Sequence, residues 1–138
     1  METKTQTGIW IDASKAVIIS FSGGVKTVTE IEADIENKVY HYGEGDKGFF
    51  SGSQHISREK TFEERKKHQT NAYLEDIIDR IAGDDEIYIF GPAETKTLLE
   101  KKINSEKNRV HGEIKKVETA DKMTLNQMVK TVKEFYNI

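Results

Sequence analysis

Apolar residues come in short runs over the first third of the chain and in spaced stripes over the rest. GIWIDA (8–13) mixes β-branched and aromatic residues and ends in the turn-like Asp12-Ala13-Ser14-Lys15, which predicts a strand. AVIISF (16–21) is nearly continuous, the pattern of a central strand covered on both faces. Ser22-Gly23-Gly24 is a tight-turn signal. VKTVTEIEA (25–33) alternates, with Val25, Thr27, Thr29 and Ile31 on one parity, so it predicts an exposed strand with one face covered. Three sequential strands with short turns make an antiparallel meander.

Further on the period lengthens. Lys38-Val39-Tyr40 reads as a short strand, and residues 41–57 as a glycine-rich loop without periodicity. Loops of that length are uncommon inside compact domains and are often functional. Thr61 with Glu64 is a capping-box signature, and Ser57 is a second cap one turn earlier. Phe62, Tyr73, Leu74, Ile77, Ile78 and Ile81 then form a helical stripe that closes at Ala82-Gly83. EIYIF (86–90) predicts a buried parallel strand ending at Gly91, with Pro92 in the first turn of a helix over about 92–104. That helix uses Ala93, Leu98, Leu99 and Ile103. VHGEIKKVE (110–118) alternates as a strand. Thr124 opens a last helix with Leu125, Met128, Val129, Val132 and Phe135 as its apolar stripe. The order predicts a three-layer α/β fold of the ribonuclease H-like kind. An antiparallel β meander is followed by βαβα, in a mixed five-stranded sheet flanked by helices.

Composition narrows the function classes. With 138 residues and 36% hydrophobic content, the chain fits one domain over 1–138 with a core of its own. The net charge of −3 gives no global basic field, so DNA is not an expected partner and any RNA contact must be local. There are no cysteines, which excludes disulfides and thiolate metal sites and suits a reducing, cytoplasmic setting. METKTQTG lacks an apolar signal region, and no run approaches a membrane span.

Candidate chemistry is sparse. A two-metal nuclease needs converging carboxylates. Asp12 ends the first strand and Glu63 or Glu64 sits on the long helix, but Gly91 stands where a further acid is wanted. The ordinary reading is a turn aspartate and two glutamates near a helix start. His41, His55, His68 and His111 are scattered without ligand spacing, so no metal site and no cofactor is expected. GPAETK could place a helix N-terminus toward an anion, though ordinary strand-to-helix turn chemistry explains it equally. The cationic run Arg58, Lys60, Arg65, Lys66, Lys67 and His68 is more informative. Its bland reading is a solvated helical face with pairs such as Glu63–Lys67. Beside a glycine-rich loop it is also the kind of surface that grips RNA phosphate.

The run GSQHISREKTFEERKKHQTNAYLEDIIDRIAGDDEIYIFGPAETKTLLEKKI (52–103), with ETADKMT (118–124), resembles the central domain of archaeal and eukaryotic peptide-chain release factors and of Pelota. It is most similar to short bacterial single-domain relatives of that domain, and the resemblance covers about residues 8–136. It implies a ribonuclease H-like fold, and a ribosome or RNA partner contacted through Gly52, Ser53, Gln54, Arg58, Arg65, Lys66, Lys67 and His68. Gly52, Ser53 and Gln54 stand where the family carries Gly-Gly-Gln, whose glutamine helps place water against the peptidyl-tRNA ester. Here Ser53 replaces the second glycine, adding a Cβ where the family's backbone shape has none. A translation-related RNA-binding domain is therefore expected rather than an enzyme. The alternatives are a peptidyl-tRNA ester hydrolase using Gln54 and a protein-interaction module.

Overall fold

The computed structural model describes residues 3–33 and 52–138, with side chains of the long helix from Lys60 onward. The expected strand at Lys38–Tyr40 and residues 41–51 of the expected 41–57 loop lie outside the described residues, while residues 52–57 of that loop are helical instead, the first turns of a long helix. Three strands open the chain: β1 (Thr5–Ile11), β2 (Lys15–Ser22) and β3 (Val25–Glu32). They are followed by α1 (Gly52–Ile81), β4 (Glu86–Gly91), α2 (Thr95–Ser105), β5 (Glu113–Thr119) and α3 (Leu125–Tyr136).

The strands form one mixed sheet in the order β3-β2-β1-β4-β5. The β2–β3 turn works because Gly23 and Gly24 take φ of 60° and 81°, the left-handed pair that a two-residue hairpin with the right twist demands. β1 to β3 are antiparallel, whereas β4 runs parallel to β1 and to β5. The meander and the parallel pairing of β4 follow the sequence reading; β2 is an interior strand as expected, though β1 is the central one.

Each face of the sheet has its own core. Ile9, Ile11, Ile18, Ile87 and Ile89 face α1 and α2, meeting Tyr73, Leu74, Ile77, Ile78, Ile81, Leu99 and Ile103. Trp10, Val17, Ile19, Phe21, Tyr88 and Phe90 face α3 through Met128 and Val132. The Tyr88 ring stacks on Phe90 at 4.9 Å and on Phe135 at 4.0 Å. The result is two helices, a sheet and one helix in three layers, because successive strand residues point to opposite faces and both faces are apolar.

Several expectations need correction. The long helix begins at Gly52, so Ser57 and Thr61 lie inside it and neither caps it. α2 starts at Thr95 after the Glu94 cap, leaving Pro92 and Ala93 in the connecting bend instead of the first turn. The last strand begins at Glu113, not Val110. In β3 only Ile31 is buried, so the anticipated covered face is a single anchored position. Leu98 and Leu125, members of the expected apolar stripes, are exposed. The Thr124 cap is as expected: its hydroxyl accepts from the Gln127 N–H, and the Gln127 Oε1 accepts from the Thr124 N–H.

Candidate nucleic-acid interface

α1 is 30 residues long, about 45 Å at 1.5 Å per residue. β1, with seven residues, spans about 23 Å, so the helix runs well past the sheet edge. Its last turns are the packed part. The Tyr73 hydroxyl donates 3.0 Å to the Asp12 carbonyl, tying α1 to the end of β1, and burial pushes the Tyr73 phenol pKa up.

An ionic cluster joins this part of α1 to α2 and the loop after it. Lys102 Nζ lies 2.9 Å from Glu75. Arg109 donates to Glu75 at 2.6 Å, to Glu106 at 2.9 Å and to Asp79. The Arg109 and Lys102 hydrogen bonds hold the Glu75 carboxyl below its ordinary range. The same bond to Glu75 raises Lys102. These charges are mutually satisfied and act as a clasp between the two helices.

Above the clasp the helices part into an open groove of about 660 Å³, and Glu63, Lys66, Lys67, Thr70, Asn71 and Leu74 line its α1 side. Those positions fall on one stripe at 3.6 residues per turn. Leu98, Lys101, Lys102 and Ser105 supply the α2 side at i, i+3, i+4 and i+7 spacing. Lys66, Lys67 and Lys101 are exposed, and none of them makes an ion pair within the described residues. The anticipated Glu63–Lys67 pair is not formed. Three ammonium groups thus converge over an apolar floor in which Leu98 is 41% exposed. Such an arrangement has the chemistry to accept a polyanion: lysines can place point charges on phosphates while the floor offers apolar surface.

The cationic run singled out in the sequence is divided by this geometry. Lys66 and Lys67 enter the groove, whereas Arg65 and His68 are exposed and do not line it. Gly52, Ser53, Gln54 and Arg58 belong to the first two turns of α1 by their backbone, and the placement of the Ser53, Gln54 and Arg58 side chains lies outside the described residues. Lys101 and Lys102 were missed. Their signal was the α2 stripe they share with Leu98 and Ser105, which by itself looks like any solvated helical face.

The nuclease alternative fails on local sterics. Asp12 Oδ1 accepts the N–H groups of Ser14 and Lys15, both at 2.8 Å, an Asx turn that closes the β1–β2 corner. A side chain at Gly91 would run into the backbone carbonyl of Ile11, so β4 has no room for an acid beside Asp12. Among the described residues no three His, Asp or Glu side chains gather as a metal site. Lys96, at the start of α2, is buried and donates to the Ala93 carbonyl, which stitches the GPAETK turn instead of leaving an ammonium for a ligand. No described helix is long and apolar enough to cross a membrane.

No protein-family model and no curated protein matches this sequence. Solved structures do match by shape. The Pelota protein of Thermoplasma acidophilum superposes with a TM-score of 0.50 at 13% identity, over 99% of this chain and 33% of that one. The archaeal translation termination factor aRF1 superposes with a TM-score of 0.55 at 12% identity, over 96% of this chain and 40% of that one. The chain has the fold of a segment of these proteins and spans roughly a third to two fifths of their length.

Proposed function

We propose that this protein is a translation-related, RNA-binding domain that works at the ribosome and takes an RNA backbone into the α1–α2 groove. The observation that carries the reading is that Lys66, Lys67 and Lys101 line one groove from two helices, with no ion pair to a carboxylate among the described residues. The resemblance of residues 52–103 to release-factor central domains supports it. So does the fold shared with a factor whose name places it in translation termination. Gly52, Ser53, Gln54 and Arg58 extend the contact at the tip of α1 in this reading. Ester hydrolysis is left out, because Ser53 occupies the place of the second glycine in the resembling motif.

The test is salt-dependent binding. Wild type is expected to pellet with ribosomes and to bind single-stranded ribosomal RNA fragments at low salt. Each phosphate contact adds about 0.7 to the slope of log affinity against log salt for single strands. Replacing Lys66, Lys67 and Lys101 with Ala should therefore lower the slope by about two. An Arg65/His68→Ala variant should change it less. Equal pelleting of wild type and the triple variant would sink the proposal.

A further inference from the structure

The two edges of the sheet are built differently. β5 carries an irregularity opposite Ile87–Tyr88, where Lys115 is the extra residue, and lysines stand at 115 and 116. A bulge and lysines are the usual means of keeping an edge from pairing. β3 has neither a bulge nor a proline. It pairs with β2 through eight consecutive positions without a shift, and no described strand lies outside it. Val25 is 64% exposed and Val28 is 38% exposed on this edge.

The register says which groups face outward. Ser22 and Val25 close a two-residue hairpin, and that closing pair exchanges hydrogen bonds. Every second residue of β3 from Val25 therefore turns its amide toward β2. Lys26, Val28, Glu30 and Glu32 turn theirs away from the sheet.

We infer that β3 is a self-pairing edge through which two copies of this chain join into one continuous sheet. An antiparallel partner strand centred on Val28 sets Val28 against the other copy's Val28. The same register sets Lys26 against Glu30 twice, once on each side of the axis. On the opposite face it sets Val25 against Ile31, and Thr27 against Thr29. From Val25 to Ile31 every cross-strand pair is of matched kind, apolar with apolar, hydroxyl with hydroxyl, cation with anion. Moving the centre two residues along the strand sets Glu30 against Glu30. Moving it one residue, to Thr29, sets Val28 against Glu30, so the register centred on Val28 is the one that matches apolar and charged positions together, and its two-fold symmetry makes a closed dimer instead of a fibre. Main-chain bonds along the edge supply the affinity, as in other strand additions.

Sedimentation across a concentration series tests the dimer. Wild type is expected to dimerise. Lys26→Glu or Glu30→Lys alone places two like-charge pairs in the interface and should weaken dimerisation roughly tenfold. The double reversal should restore it. Melting curves check that the single variants fold, which their exposed positions favour. Because the chain has no cysteine, a second measurement stands apart from folding energetics. Val28→Cys should cross-link to itself under mild oxidation, since directly opposed hydrogen-bonded residues sit about 5.5 Å apart. Val25→Cys, more exposed but opposed to Ile31, should not. A wild type that stays monomeric to millimolar concentration overturns the inference. So does a dimer indifferent to the single reversals, or faster cross-linking at position 25 than at 28.

Discussion

The two stretches of α1 contain similar proportions of charged residues and have opposite surroundings. From Tyr73 to Ile81, five apolar side chains are buried against the sheet and α2. From Lys60 to Ala72, Phe62 alone is buried, and the remaining positions are exposed or half-buried. The sheet is too short to support the whole helix, so the packed stretch holds the element in place and the other stretch presents it. Charges follow the same division. Near the packed end Glu75, Lys102, Glu106 and Arg109 neutralise one another. Near the presented end Lys66 and Lys67 have no such partners among the described residues. What separates the two groups of lysines is the neighbouring helix: Lys102 meets a carboxylate across the helix pair at 2.9 Å, whereas Lys66 lines the groove opposite Lys101.

The contrast should survive some substitutions and collapse under others. Ile78 is fully buried, and Ile78→Ala is expected to lower stability by about 2–5 kcal/mol in chemical denaturation. Tyr73→Phe removes the hydrogen bond to the Asp12 carbonyl and should cost about 1 kcal/mol. Lys66→Ala and Lys67→Ala, on the presented stretch, should stay within roughly 0.5 kcal/mol of wild type while losing RNA affinity. A large stability loss at either lysine would erase the distinction between the two stretches.

Acid titration gives the smallest effect and the sharpest check on the clasp. Arg109 and Lys102 hold the folded Glu75 carboxyl below its unfolded value. Its contribution is therefore complete above the ordinary carboxylate range and is lost as pH falls through the lowered folded value. Asp84 has the opposite sign. Burial raises its carboxyl despite the Thr7 hydroxyl bond, so ionising it counts against the fold as pH rises. In melting curves recorded against pH, Glu75→Gln should flatten the acid-side loss of stability, whereas Asp84→Asn should leave that loss in place. A Glu75→Gln curve as steep as wild type would show that the clasp contributes nothing.

Strand positions were legible because their signals are local. AVIISF needs only its own composition to read as a two-sided strand, and Gly23-Gly24 only its backbone freedom to make the turn. Errors arose where a boundary depends on what lies across from it. Thr61 looks like a cap because Glu64 follows it, yet the helix continues back to Gly52. Leu98 looks like core because Leu99 and Ile103 are, yet at its level α1 and α2 stand apart.

By itself, then, the chain determined the order of elements, the meander and the two apolar faces of the sheet, because side-chain periodicity and turn chemistry act over a few residues. The tertiary structure decided the rest. It brought Lys101 into one groove with Lys66 and Lys67, left Arg65 and His68 off that groove's lining, filled the place of a second acid with the Ile11 carbonyl, and gave one sheet edge a bulge and lysines and the other a regular, unshifted pairing. Those outcomes depend on which helix lies against which, and no spacing along the sequence encodes the distance between two helices.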